Sequence, residues 1–139
     1  MSSTATFKRF FTPQEANGLL PEVLTELETA RRLIAEAREA SETLESATTD
    51  EARSDAYCRL EERRSSINQI LNMLRNKGIE VKGFDPLLID FPALRNGQEV
   101  YLCWLEGQTK VNSWHPMHMS IRHRQILDPK RMGYWEWCN

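Results

Sequence analysis

Leu20, Leu27 and Ile34 recur every seven residues along the first third of the chain, with Val23, Ala30, Ala37 and Leu44 in the interleaved positions and Glu, Arg and Thr on the outer faces. A stripe of that period is the packing surface of an amphipathic helix. Its start is marked at Thr12-Pro13-Gln14-Glu15, where Thr12 caps the first backbone N–H groups, Pro13 fits the first helical position and Glu15 completes a capping box. Pro21 lacks an N–H and clashes with the carbonyl four residues back, which predicts a short helix over 13–19, a kink or restart, and a longer helix from Leu20 to Leu44. Ser46 to Asp50 reads as a tight connection, after which Ala56, Leu60, Ile67, Ile70, Leu71 and Leu74 lead to a stop at Arg75-Asn76-Lys77-Gly78. Arg63 falls within this second stripe and is expected to pair with Glu36 or Glu39 at its margin. Two such helices form an antiparallel hairpin roughly 40 Å long, more than the rest of the chain covers, so the Leu27 and Ile34 stripe is expected to pack partly on another copy.

From Ile79 the period drops to two. Ile79–Lys82 and Leu88–Phe91 read as short strands, with Pro92 ending the second or marking it as an edge. Asn96-Gly97 is the favoured dipeptide of a type I′ hairpin and leads into the strand Glu99–Leu105, which alternates Val100, Leu102 and Trp104 with Tyr101, Cys103 and Leu105. Glu106-Gly107 turns the chain into a last strand over Thr109–Trp114, and periodicity fades beyond His115-Pro116 towards Tyr134-Trp135-Glu136-Trp137. The fold class expected is α+β: a helical hairpin over 13–77 packed on a small antiparallel meander over 79–114, then an irregular aromatic and basic segment over 115–139, all in one domain.

Composition narrows the function. With 139 residues, 40% hydrophobic and 27% charged, the chain is sized for one core. No apolar run approaches the roughly 20 residues that span a bilayer, and MSSTATFKRFFTPQEA lacks a secretory apolar core, so no membrane contact and a cytoplasmic location are expected. Cys58, Cys103 and Cys138 are odd in number and widely spaced, which argues for reduced thiols. The net charge of −2 hides an acidic hairpin and a mildly basic C-terminal half, a balance that makes nucleic acid an unlikely partner.

Chemistry concentrates between Glu99 and Leu127, which holds all three histidines, two tryptophans, one cysteine and two arginines. His115 and His118, with Cys103 or His123, supply imidazole and thiolate donors suited to zinc, nickel or iron(II). Arg122 and Arg124 present guanidinium forks for a carboxylate or phosphate beside an aromatic wall of Trp114, with Trp104 either in that wall or in the core. A Cys103–His115 pair would make an activated thiolate only if an opposing charge offset its burial. No glycine-rich phosphate loop, G-x-S-x-G elbow or H-E-x-x-H is present.

Nearly the whole chain resembles a bacterial family known as domain of unknown function 2203. The resemblance is carried by F-T-x-x-E-A-N-x-L-L-P, here Phe11, Thr12, Glu15, Ala16, Asn17, Leu19, Leu20 and Pro21, and by G-x-E-V-K at Gly78, Glu80, Val81 and Lys82. D-F-P-A at Asp90 to Ala93, E-V-Y-L-C-W at Glu99 to Trp104 and W-H at Trp114-His115 continue it. Arg124, Gln125 and Leu127 keep the final motif, whereas Ser120, Ile121 and Ile126 depart from its glycine, phenylalanine and proline, and His118 replaces an acid. The resemblance implies a fold and no chemistry. Two readings follow: a non-enzymatic oligomeric interaction protein that uses its hairpin for a second copy or a protein partner, or a small-molecule, anion or divalent transition-metal binder, with or without enzymatic activity, with a site around His115, His118 and Arg124.

Overall fold

The structure is a computed structural model that describes residues 9–127 and 135–137. Two helices, α1 (Pro13–Ser46) and α2 (Asp50–Asn76), precede five strands, β1 (Glu80–Phe84), β2 (Leu87–Arg95), β3 (Gln98–Leu105), β4 (Ser113–Pro116) and β5 (Gln125–Ile126). The fold is α+β, with two helices packed on each other and one antiparallel sheet in the order β1-β2-β3-β4-β5. Among the described residues no helix is long and apolar enough to cross a membrane. The chain divides into two compact units, one of residues 22–73 and one of residues 1–21 with 74–139.

In the helical unit, Val23, Leu27, Ala30, Ala40, Ala56 and Leu60 are buried and Ile34 is half-buried. Leu27 is wholly covered within its own chain and needs no second copy for its burial. Arg63 Nε donates to Glu36 Oε1 at 2.7 Å, the pairing expected at the seam margin, and Arg32 Nη1 holds the other oxygen of Glu36 at 3.1 Å. The Thr49 hydroxyl accepts the Ala52 N–H at 3.1 Å and caps α2.

The capping box of α1 forms as expected, with the Thr12 N–H donating to Glu15 Oε1 at 2.9 Å and the Glu15 N–H to Thr12 Oγ1 at 3.1 Å. Pro21 does not break the helix. The buried positions Ala16, Leu20, Val23 and Leu27 run on in phase through it, and Pro21 itself is exposed, so continuous packing offsets a backbone penalty of about 3 kcal/mol.

In the sheet unit, α2 closes through Gly78 at φ 89°, where the Ile79 N–H returns to the Leu74 carbonyl at 3.0 Å. The β2–β3 hairpin turns on Asn96 at φ 52° and Gly97 at φ 80°, the left-handed pair of a type I′ turn. Pro92 neither ends β2 nor sits in an edge strand. It lies beyond the last β1 pair, Glu80 with Asp90, and its carbonyl accepts the Phe11 N–H at 2.7 Å instead, so its missing N–H costs the β1 ladder nothing.

The expected strand over Thr109–Trp114 is also displaced, to Ser113–Pro116. The side chain of Asn17 takes both backbone groups of Val111: its Oδ1 accepts the N–H at 2.7 Å and its Nδ2 donates to the carbonyl at 3.0 Å. Val111 is thereby tied to α1, and ladder pairing resumes only at Ser113. The sheet then extends past the expected limit at residue 114 into β5. One face of the sheet carries the core, including Ile89, Phe91, Val100, Leu102 and Trp104, with Phe11 edge-on to Phe91 at 5.4 Å between ring centroids.

Candidate functional site

The other face of the sheet is polar. Residues directly opposite in adjacent strands share a face, and the register aligns Glu80 with Asp90, Asp90 with Cys103 and Cys103 with Ser113. Two positions along, Pro92, Tyr101 and His115 form a second row on that same face. A bulge between Val81 and Gly83 leaves Lys82 outside the ladder.

At the centre lie Asp90, Cys103 and His115, with 3%, 0% and 4% of their surfaces exposed, and their ligand atoms fall within 4.8 Å of one another. His115 Nδ1 is 2.9 Å from the Pro116 carbonyl, which only accepts, so Nδ1 carries the ring's hydrogen. In the neutral ring Nε2 is then a bare lone pair, and it faces Asp90 Oδ1 at 3.4 Å. Two acceptors turned on each other in a buried site require a cation between them, either a proton or a metal ion. Burial pushes the Asp90 carboxyl up from its ordinary range, opposed by the attraction of His115 and Lys82. Burial likewise pushes the Cys103 thiol up, against its 3.1 Å contact with the Ser113 hydroxyl.

Beside this cluster is a cavity of about 250 Å³ with Asp90 and His115 on its lining. Lys82 and Tyr101 form its polar wall, and Leu88, Met117, Met119, Ser120 and Ile121 complete it. Behind that wall Glu80 accepts from the Tyr101 hydroxyl at 2.9 Å and from Lys82 Nζ at 2.9 Å, while the Lys82 ammonium sits 4.7 Å over the Tyr101 ring. Burial works against the Lys82 charge, but Glu80 outweighs it and raises the ammonium above its usual value. The Tyr101 hydroxyl is raised by burial and then by its bond to Glu80.

Of the metal donors expected from the sequence, the fold brings Cys103 and His115 together and leaves His118 and His123 exposed and outside the cluster. Asp90 supplies the third donor, from the strand expected over Leu88–Phe91, to which no ligand was assigned. A lone acid between Ile89 and Phe91 was the available signal, since a buried strand admits a carboxylate only with a partner.

Trp104 is a core residue whose indole N–H donates to the Gln108 carbonyl at 3.1 Å. Trp114 lies on the apolar face opposite Leu102, edge-on to Trp137 at 6.4 Å. The guanidinium over it belongs to Arg95, at 4.6 Å, which also pairs with Glu136 at 3.3 Å. Arg122 and Arg124 are exposed, in and after a 3₁₀ turn over Ile121–His123 that Ser120 caps. Cys138 and Tyr134 lie outside the described residues.

Glu80 and Lys82, Asp90, Tyr101 and Cys103, and His115 belong to four separate motifs of the family resemblance, and folding gathers them on one sheet face. No curated protein and no solved structure matches the chain. The sequence profile described as "Uncharacterized conserved protein (DUF2203)" matches residues 9–127. The chain therefore belongs to the DUF2203 family, whose description assigns it no function.

Proposed function

We propose that this protein binds one divalent transition-metal ion of the zinc class through Asp90, Cys103 and His115. The observation that carries the reading is the convergence of three unlike ligand atoms within 4.8 Å, with His115 Nδ1 engaged by the Pro116 carbonyl and Nε2 turned towards Asp90. Ligand atoms around a tetrahedral zinc ion lie about 3.3–3.8 Å apart, so a closure of roughly 1 Å completes the set. Thiolate, imidazole and carboxylate together suit zinc, nickel or iron(II). The Pro116 carbonyl on His115 and the Ser113 hydroxyl on Cys103 are the kind of outer partners that hold ligands in place. A reducing cytoplasm would keep Cys103 in its reduced form, and a bound ion would displace the thiol proton.

Assembly through the helical hairpin is the reading we do not favour, because Leu27, the centre of its expected contact stripe, is covered by its own chain. The test is elemental analysis of untagged protein incubated with zinc and dialysed. One ion per chain is expected, falling to background in His115→Ala and Asp90→Asn. Equal zinc content in all three proteins would overturn the reading.

A further inference from the structure

Resting on that metal reading, we propose that the ion keeps an exchangeable coordination position that opens into the neighbouring cavity and takes the carboxylate of a small, otherwise apolar molecule. Three protein donors leave a tetrahedral ion one position short, which is the arrangement of zinc sites that bind and act on ligands rather than merely brace a fold. The side on which that position falls follows from the lining. Asp90 and His115 border the cavity of about 250 Å³, whereas Cys103 is fully buried and does not, so the thiolate approaches from behind and the remaining position faces the cavity.

The charge of the ligand's head is set by Lys82. Asp90 and the Cys103 thiolate together neutralise a divalent ion, so the neighbouring side chains decide the sign. Of the Lys82–Glu80 pair only Lys82 lines the cavity; Glu80 is held behind it by the ammonium and the Tyr101 hydroxyl. An ammonium has three donors and Glu80 takes one at 2.9 Å, so Lys82 can also hold an anion's second oxygen. Lys82 is the one Lys or Arg among the described residues of the lining, and a single ammonium suits a monoanion rather than a phosphate dianion.

The body of the ligand is set by the rest of the wall. Leu88, Met117, Met119 and Ile121 are apolar, and the volume is slightly below the range of roughly 300–1,000 Å³ typical of ligand pockets, so it admits one small ring or a short branched chain. The thioethers of Met117 and Met119 adapt to irregular apolar shapes, and Met119 is 42% exposed, which puts it at the cavity's mouth.

The experiment uses the full, untagged chain loaded with cobalt(II), whose thiolate absorption and ligand-field bands report the Cys103 bond and the coordination number separately. Benzoate is the probe and benzamide its neutral isostere. Benzoate is expected to shift the ligand-field bands with a millimolar dissociation constant while the thiolate band persists, and benzamide to leave them unchanged. Lys82→Met is expected to weaken benzoate about tenfold, and Ile121→Trp, which fills the cavity, to abolish its effect, both with one cobalt per chain.

Cobalt bound at one per chain with bands that ignore benzoate at tens of millimolar would overturn this inference and leave the metal reading standing. A response to benzamide equal to that of benzoate would overturn the carboxylate assignment. Failure to bind cobalt at all would remove the metal reading and this inference with it.

Discussion

His115 reaches across β3 to bring its Nε2 within 3.4 Å of Asp90 Oδ1, while its Nδ1 is engaged by the Pro116 carbonyl at 2.9 Å. Without an ion this pair holds together only by sharing a proton, and a bound metal takes that proton's place.

Asp90→Asn separates stability from binding. The amide N–H would donate to Nε2 and remove a buried charge, so the metal-free variant is expected to match the parent or exceed it by about 1 kcal/mol in urea unfolding, while losing zinc. A metal-free variant destabilised by several kcal/mol would instead mark Asp90 as a purely structural residue.

The two described free cysteines should differ sharply towards alkylating reagents. Cys58 is exposed on α2, whereas Cys103 is buried and its thiol is pushed up by that burial. Iodoacetamide on the folded, metal-free protein is expected to label Cys58 at least about tenfold faster, with Cys103 catching up in urea. Peptide mass spectrometry reads both sites.

Asn17 is expected to be costly to replace although it touches no ligand atom of the site. Asn17→Ala leaves both backbone groups of buried Val111 without their present partner, a loss of about 2–3 kcal/mol in urea unfolding. Amide exchange at Val111 should accelerate in step with that loss.

The Glu36–Arg63 pair sets a pH dependence in the helical unit. The Arg63 hydrogen bond, and secondarily Arg32, holds the Glu36 carboxyl below its usual range despite some desolvation. A depressed acid stabilises the folded state above its ordinary value, and that stabilisation disappears as pH falls through the lower, folded value. Glu36→Gln should therefore unfold at lower urea than the parent near pH 7, with the two midpoints converging as pH falls below the ordinary carboxylate range. The effect is small, because both side chains are about one-third exposed.

Local signals in the sequence foretold what local chemistry decides. Thr12 and Glu15 cap α1, Asn96-Gly97 turns the β2–β3 hairpin, and Arg63 finds Glu36, each through partners fixed by spacing or helix register. The misread elements depend on partners distant in sequence. Pro92 is tolerated inside β2 because Phe11 takes its carbonyl, and the start of β4 is set by Asn17, 94 residues before Val111.

The site divides along the same line. Cys103 and His115 stood out by residue type, but His118, only three positions on, stays outside because the chain leaves β4 after Pro116. The acid between Ile89 and Phe91 signalled a buried carboxylate, but its place beside Cys103 is a matter of strand register, which residue spacing does not reveal. Trp114 and Trp137 do meet, yet across the apolar face and under Arg95 rather than beside Arg122 or Arg124.

X-ray absorption at the zinc edge of the loaded protein tests the central claim most directly. The account predicts one sulfur at about 2.3 Å with the remaining ligands nitrogen or oxygen at about 2.0 Å, and loss of the sulfur shell in Cys103→Ser. A spectrum without sulfur, with more than one sulfur, or unchanged in Cys103→Ser would contradict it.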